Sequence, residues 1–399
     1  MAKFTIKQIL LSNQNWWKFY NKHSTKLRPA IISAIAKLLS CKNTIRGYKQ
    51  YECTNPNCSH TKKIPFTCKS KACSSCGKKA TEVWMDKQKN ILPKTKYQHI
   101  TLTMPSELWD FFWYNRWLLN EICKVGADCL MEIAAKRGII LGIFIALHTF
   151  GRSLKRNIHL HISTTIGGIS IELTKWKKLV FHKYTLTKIW RYKLIKLFRE
   201  AYKQNLLIIP ESIKKLLNHT FTFENFLDDL YKKYWIIDCA KPEKTFNKII
   251  NYLSRYIKRP AIAESRLKHY DGHEVTFKYL DHYTKKHTKK TISAEEFIGN
   301  FVRHIPDANF RMIRYYGFLA NRVRGKLLPL VYKLLNTGNT VATTSKTSFA
   351  SLLKANFNID PLCCVLCNSQ LALTEIKFRK TNSATLIGHL KELSTSPLC

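Results

Sequence analysis

Acidic side chains are scarce. The 399-residue chain has 26 Asp+Glu against 67 Lys+Arg, a formal net charge of +41. Its first quarter carries only Glu52, Glu82 and Asp86 as acids. A globular body this basic repels itself unless a polyanion is near, so nucleic acid is the expected partner. Solubility alone does not require such an excess. Long apolar runs are also missing. The longest, Gly138–Leu147, has ten residues, too short to span a bilayer. The opening "MAKFTIKQILLSNQNWWKFY" has neither the uninterrupted apolar core nor the small-residue cleavage site of a signal peptide. A soluble, cytoplasmic protein without membrane contact is expected. In a reducing compartment its 13 cysteines are expected as metal ligands and core residues rather than disulfides.

The cysteines cluster. "YECTNPNCSHTKKIPFTCKSKACSSCGKK" holds Cys53, Cys58, Cys68, Cys73 and Cys76, with His60 among them. Cys73 and Cys76 form a C-x-x-C knuckle, which lets two thiolates take adjacent corners of a tetrahedron. Cys53 and Cys58 supply a second pair around the Asn55-Pro56 turn. One closed structural zinc site with four thiolates is expected, and its energy is folding energy in so Lys-rich a segment. Cys68 and His60 are the ambiguous members: either replaces one of the four or helps hold a second ion. The tail carries another C-x-x-C, with Cys363, Cys364 and Cys367. No second pair follows, only His389 and Cys399, and a C-terminal zinc site is not expected.

Residues 5–40 read as helical, with Pro29 in a first turn. "KYQHITLTMP" alternates as a strand, and 106–138 reads as one aromatic-rich helix that Ser106 is placed to cap. "GIFIALHTF" and "NIHLHISTT" read as two strands joined by the basic loop "GRSLKRN". Side chains alternate faces along a strand. Ile158, Leu160 and Ile162 therefore bury one face, and His159 and His161 point to the other. In an antiparallel pair His148 lies beside them. Three imidazoles on one accessible face suit a metal site with open positions for substrate.

These features together resemble a known family. His-apolar-His on a central strand is the signature of the HUH endonucleases, which include rolling-circle replication initiators, relaxases and rolling-circle transposases. More closely, the N-terminal cysteine segment, "HITLTMP", "LHTFGRSLKRNIHLHIS", "YLSRYIKRP" and "RYYGFLANR" resemble the two-tyrosine transposases of the insertion sequence ninety-one family. The resemblance covers roughly residues 10–370. It implies an α+β fold: an HUH-type antiparallel sheet flanked by helices and preceded by a helical, zinc-binding N-terminal domain. The expected ranges are 1–95 for that domain, 96–335 for the catalytic domain, and 336–399 for a linker and a small Cys-containing tail.

The family also implies nucleophilic tyrosines after the His pair, and "YLSRYIKRP" offers Tyr252 and Tyr256. From Pro242 to Arg259 the pattern is helical, with Phe246, Ile249, Ile250, Leu253 and Ile257 as one stripe. Tyr252 and Tyr256, four apart, share a face beside it. By periodicity alone they pack at the core edge; with the His strand they become two hydroxyls for one metal site. A divalent ion on His148, His159 and His161 would neutralise charge at a scissile phosphate. A tyrosine would then cut single-stranded DNA, keeping the bond energy as a 5′-phosphotyrosine. Ligand softness fits Zn, Mn or Ni, whereas the family implies Mg or Mn. Arg255, Lys258 and Arg259 are candidates to hold phosphates, or else ordinary solvated charge. A replication initiator or relaxase shares the chemistry. A non-catalytic zinc-dependent DNA-binding protein would leave the histidines and tyrosines as coincidence.

Overall fold

The computed structural model describes residues 4–242, 250, 260–281, 284–336, 350–351, 354, 360–378 and 388. Its strands, in chain order, are β1 (Gly47–Cys53), β2 (Thr61–Pro65), β3 (Tyr97–Leu102), β4 (Ile139–Phe150), β5 (Arg156–Ser170), β6 (Trp176–Lys177), β7 (Ile237–Cys239), β8 (Leu267–Tyr270), β9 (Glu274–Leu280), β10 (His287–Ser293), β11 (Ile313–Gly317) and β12 (Leu371–Phe378). Helices and antiparallel sheets mix along the chain, so the fold is α+β. No helix among the described residues is long and apolar enough to cross a membrane.

The chain divides into two compact units, each built from separated segments. One comprises Met1–Val83, Lys258–Phe310 and Thr343–Cys399, the other Trp84–Ile257 and Arg311–Ala342. The ranges expected from sequence were consecutive; these units are not.

In the first unit, three helices (Ile6–Leu11, Asn15–His23 and Pro29–Leu39) open the chain. Thr5 and Gln8 form a capping box on the first, and Pro29 stands in the first turn of the third. The expected hairpin joins β8 and β9. Asp271 Oδ1 accepts from the amides of His273 and Glu274, and Gly272 takes the left-handed φ of 104° that its turn requires. β10 completes this sheet in the order β10-β9-β8. Ser293 caps the helix Ala294–Arg303 as its spacing predicts, accepting from Glu296 N. That helix packs on Asn15–His23. A separate three-stranded sheet has the order β12-β1-β2, so the two ends of the chain pair directly.

The second unit is built on an antiparallel sheet ordered β11-β4-β5-β3-β7, with β6 added to β5. Ile143, Ile145, Leu147, Ile158, Leu160, Ile162, Ile100 and Leu102 are buried, as strict alternation predicts for one covered face. The helix Leu118–Ala135 packs there. Its Gly126 allows close approach, since a Cβ would stand 2.5 Å from Leu160 Cδ1.

The long helix expected over 106–138 is broken. A 3-10 turn at Ser106–Leu108 and a short helix at Phe111–Tyr114 precede Leu118–Ala135. Asn115 makes the break. Its buried amide donates to Phe111 O and Ile208 O and accepts from Ile208 N. Ser106 does not cap: its hydroxyl donates to Glu107 Oε2.

Candidate metal centre and cysteine clusters

The β4–β5 register sets His148 opposite His159 and Ala146 opposite His161. β3, on the other side of β5, sets Thr101 opposite His161 and His99 opposite Ser163. One face of the sheet therefore carries His99, Thr101, His148, His159 and His161. Ala146 presents only a methyl group and leaves room beside His161.

The imidazoles of His148, His159 and His161 offer ligand atoms within 4.8 Å of one another. His159 Nε2 and His161 Nε2 are 3.1 Å apart, and the His148 ring lies 4.4 Å from that of His161 and 5.1 Å from that of His159. His148 stacks on Phe150. All three expected ligands come together.

The expectation of an open face needs correction. His148 is 2% and His161 7% exposed; His159 is intermediate. The same face continues through Phe144, Ala146 and Tyr97 into a core with Trp84, Leu92, Ile250, Phe318, Leu328, Val331 and Tyr332. Alternation separates two faces but does not say which one the rest of the chain covers.

Hydrogen bonding gives the rings a direction. His159 Nδ1 donates to Asn157 O at 2.9 Å, because a carbonyl only accepts, so Nε2 of the neutral ring carries a lone pair. His161 Nδ1 lies 3.1 Å from His99 Nε2, with Thr101 Oγ1 3.4 Å from the same His99 nitrogen. Two proton arrangements are open to these rings, one that satisfies every contact by hydrogen bonds and one that needs a cation. In one, His99 Nε2 donates to His161, and His161 Nε2 donates to His159. In the other, His161 Nδ1 donates to His99, and the lone pairs on His159 Nε2 and His161 Nε2 converge, as a shared cation requires. The switch between them moves protons within the rings' own tautomers and releases none. The donors present therefore fit a divalent metal. Burial, then the charges of His159 and His99, hold His161 well below the ordinary histidine range. Burial brings His99 down to about 4. Both rings are thus neutral near pH 7, the form that binds metal.

His99 is the residue that sequence reasoning passed over. "HITLTMP" alternates correctly, but only the β3–β5 pairing shows that its histidine meets His161. Tyr252, Tyr256, Arg255, Lys258 and Arg259 lie outside the described residues.

The cysteines sort differently from expectation. Cys68, Cys73 and Cys76 join Cys41, all buried, with sulfur separations of 3.5–3.7 Å. Hydrogen bonds from the Cys68 and Cys73 thiols bring the Cys41 thiol down to about 6. Cys53 and Cys58 do not meet Cys73 and Cys76. They join Cys364 and Cys367 instead. Cys41 stands twelve residues before Cys53, outside the dense segment. The tail pair has no second pair near it in sequence; Cys53 and Cys58 supply one. His60 belongs to neither cluster among the described residues; its carbonyl accepts from Cys53 N.

Comparison with known proteins then places the chain. Residues 12–104 match the family described as "Transposase zinc-binding domain", and residues 142–326 the family described as "Putative transposase". The transposase for insertion sequence element IS801 of Pseudomonas savastanoi pv. phaseolicola is 40% identical over 370 residues, covering 92% of this chain and 89% of that protein. The chain belongs to the insertion sequence ninety-one family of transposases. A more distant relative, "Putative transposase y4qJ" of Sinorhizobium fredii (strain NBRC 101917 / NGR234), is 27% identical over 337 residues, 82% of this chain and 83% of that one. No solved structure matches. In this family member the zinc-binding match contains the whole Cys41 cluster, and the transposase match contains His148, His159 and His161. As a transposase, it acts on DNA.

Proposed function

We propose that this transposase cuts and rejoins single-stranded DNA through 5′-phosphotyrosine links, with His148, His159 and His161 holding a divalent ion, Mg or Mn, and Tyr252 and Tyr256 as nucleophiles. The observation that carries the reading is the convergence of three imidazoles, two of them with Nε2 atoms 3.1 Å apart, on one sheet face.

When bound, the ion supplies charge neutralisation at the scissile phosphate. The chain's residues do the rest. His99 orients His161, and the Asn157 carbonyl orients His159. The tyrosine oxygen attacks phosphorus, its proton passes to water, and the leaving 3′ oxygen takes one up. The second tyrosine accepts a second strand, so a strand is transferred without ATP. Arg152 and Lys155, exposed in the loop between His148 and His159, are placed to hold phosphates; Arg255, Lys258 and Arg259 are proposed for the same role from their sequence next to the tyrosines. Cys41, Cys68, Cys73 and Cys76 hold structural zinc.

The test is incubation with single-stranded DNA and Mn2+, followed by a denaturing gel for covalent adducts. The unmodified protein should form them. The paired variant Tyr252→Phe, Tyr256→Phe should form none, and neither should His159→Ala or His161→Ala, while DNA affinity survives in all three. Adducts from the paired tyrosine variant would place the nucleophile elsewhere. No adduct from the unmodified protein would leave a zinc-dependent DNA-binding protein as the better description.

A further inference from the structure

We propose that Cys53, Cys58, Cys364 and Cys367 form a second tetrathiolate zinc site, which fastens the C-terminal strand to the N-terminal sheet. The inference stands independently of the tyrosine chemistry. It also goes beyond the zinc-binding domain, whose match ends at residue 104.

The four sulfurs lie within 4.8 Å of one another. Cys53 and Cys367 are 3.3 Å apart, and Cys58 and Cys364 are 3.8 Å apart. A disulfide needs about 2.05 Å. Thiolates around a tetrahedral zinc, each at about 2.3 Å, stand about 3.8 Å from one another. The local backbone is shaped for the cluster on both sides. Cys58 N donates to Asn55 O across the Asn55-Pro56 turn. In the tail, Cys364 N donates to Ser369 O and Asn368 N returns to Cys364 O, with Asn368 in the left-handed region at φ 59°. That tight loop turns both thiols of Cys364-x-x-Cys367 to one side. The neighbouring Cys363 is excluded, its thiol donating to Asn368 O.

A second observation says that something other than apolar burial anchors this strand. β12 pairs with β1 along its length, from Gly47–Phe378 to Cys53–Leu371. Yet Leu371 is its only buried residue; Leu373, Ile376 and Phe378 are 46%, 43% and 76% exposed. Phe378 stacks on Phe66 at the far end; for the rest, backbone hydrogen bonds hold a lone strand weakly, because water competes for them. The cysteine cluster lies at the Leu371 end, where Thr54 N donates to Gln370 O and Cys364 is fully buried. A metal there closes a very long loop of chain, and its binding energy becomes docking energy for β12.

The test is alkylation of the full-length, zinc-loaded protein under native conditions, read cysteine by cysteine by mass spectrometry. Cys53, Cys58, Cys364 and Cys367 should be protected together and become reactive together on chelation, while Cys363 reacts without chelator. The Cys364→Ser, Cys367→Ser variant should lose one zinc equivalent, with Cys41, Cys68, Cys73 and Cys76 still protected. The Cys363→Ser control should lose none. If Cys364 and Cys367 react as fast as Cys363 while the Cys41 cluster stays protected, there is no second site. Recovery of a Cys53–Cys367 disulfide from protein purified under reducing conditions would also overturn it.

Discussion

His161 meets a histidine at each ring nitrogen, His159 at Nε2 and His99 at Nδ1. A ligand so placed has its tautomer chosen by the partner that does not bind the ion. Replacing His99 with Phe keeps a ring of similar shape and removes the acceptor. Mn2+ affinity, measured by calorimetry on the full chain, should fall about 10–100-fold, the usual cost of losing such a partner. His99→Gln, whose amide oxygen still accepts, should recover part of it. Unchanged affinity in the Phe variant would reduce His99 to packing. The convergence of the three candidate ligands was legible because alternation is local: a two-residue period is enough to separate His159 and His161 from Ile158, Leu160 and Ile162. His99 was not, because nothing in its own strand says which strand lies beside it. Cys41 escaped for the same reason, since its three partners all come after β1 and its own surroundings look like a helix end.

Among the elements, the break at Asn115 shows how one polar side chain overrides a helical pattern. The apolar spacing from 106 to 138 suits one helix, and Asn alone does not forbid it. What decides is Ile208, whose backbone N–H and C=O both bond the Asn115 amide. Asn115→Ala leaves these two groups without their partner in a part-buried place, Ile208 itself being exposed, so the loss sits at the lower end of about 1–3 kcal/mol for an unsatisfied group. Urea denaturation should show a loss of that size. A change within about 0.5 kcal/mol, the range of an ordinary surface substitution, would mean that water takes the amide's place. The other elements were readable where their signals were local: the Asp271-Gly272 turn, the Ser293 cap, Pro29 in a first turn, and the two strands flanking the basic loop. The last strand, β12, was not read. Leu371–Phe378 shows too little burial to leave a clear alternation, and its partner β1 lies near the other end of the chain.

At the scale of the molecule, discontinuity and charge stand out. Each compact unit gathers segments from distant parts of the chain. Composition shifts and linkers mark only where a chain changes character, so such gathering leaves no trace in them. Charge, by contrast, is a sum and needs no structure to read. A net +41 on a DNA-acting protein predicts a large share of the affinity from released counterions. Binding of single-stranded DNA should therefore fall linearly in log affinity against log salt. With about 0.7 ions released per contacted phosphate, a site touching roughly six phosphates loses about 300-fold over a fourfold rise in salt. The slope should persist in His159→Ala, since in the proposed mechanism the imidazoles hold a metal and the basic surface holds the strand. Removing the exposed cations Arg152 and Lys155 should make it shallower by about one to two phosphates' worth. Fluorescence anisotropy across a salt series measures both. A slope near zero would show that the excess charge lies away from the DNA path. A slope that collapses with His159→Ala would show that the metal site, not the basic surface, carries the affinity.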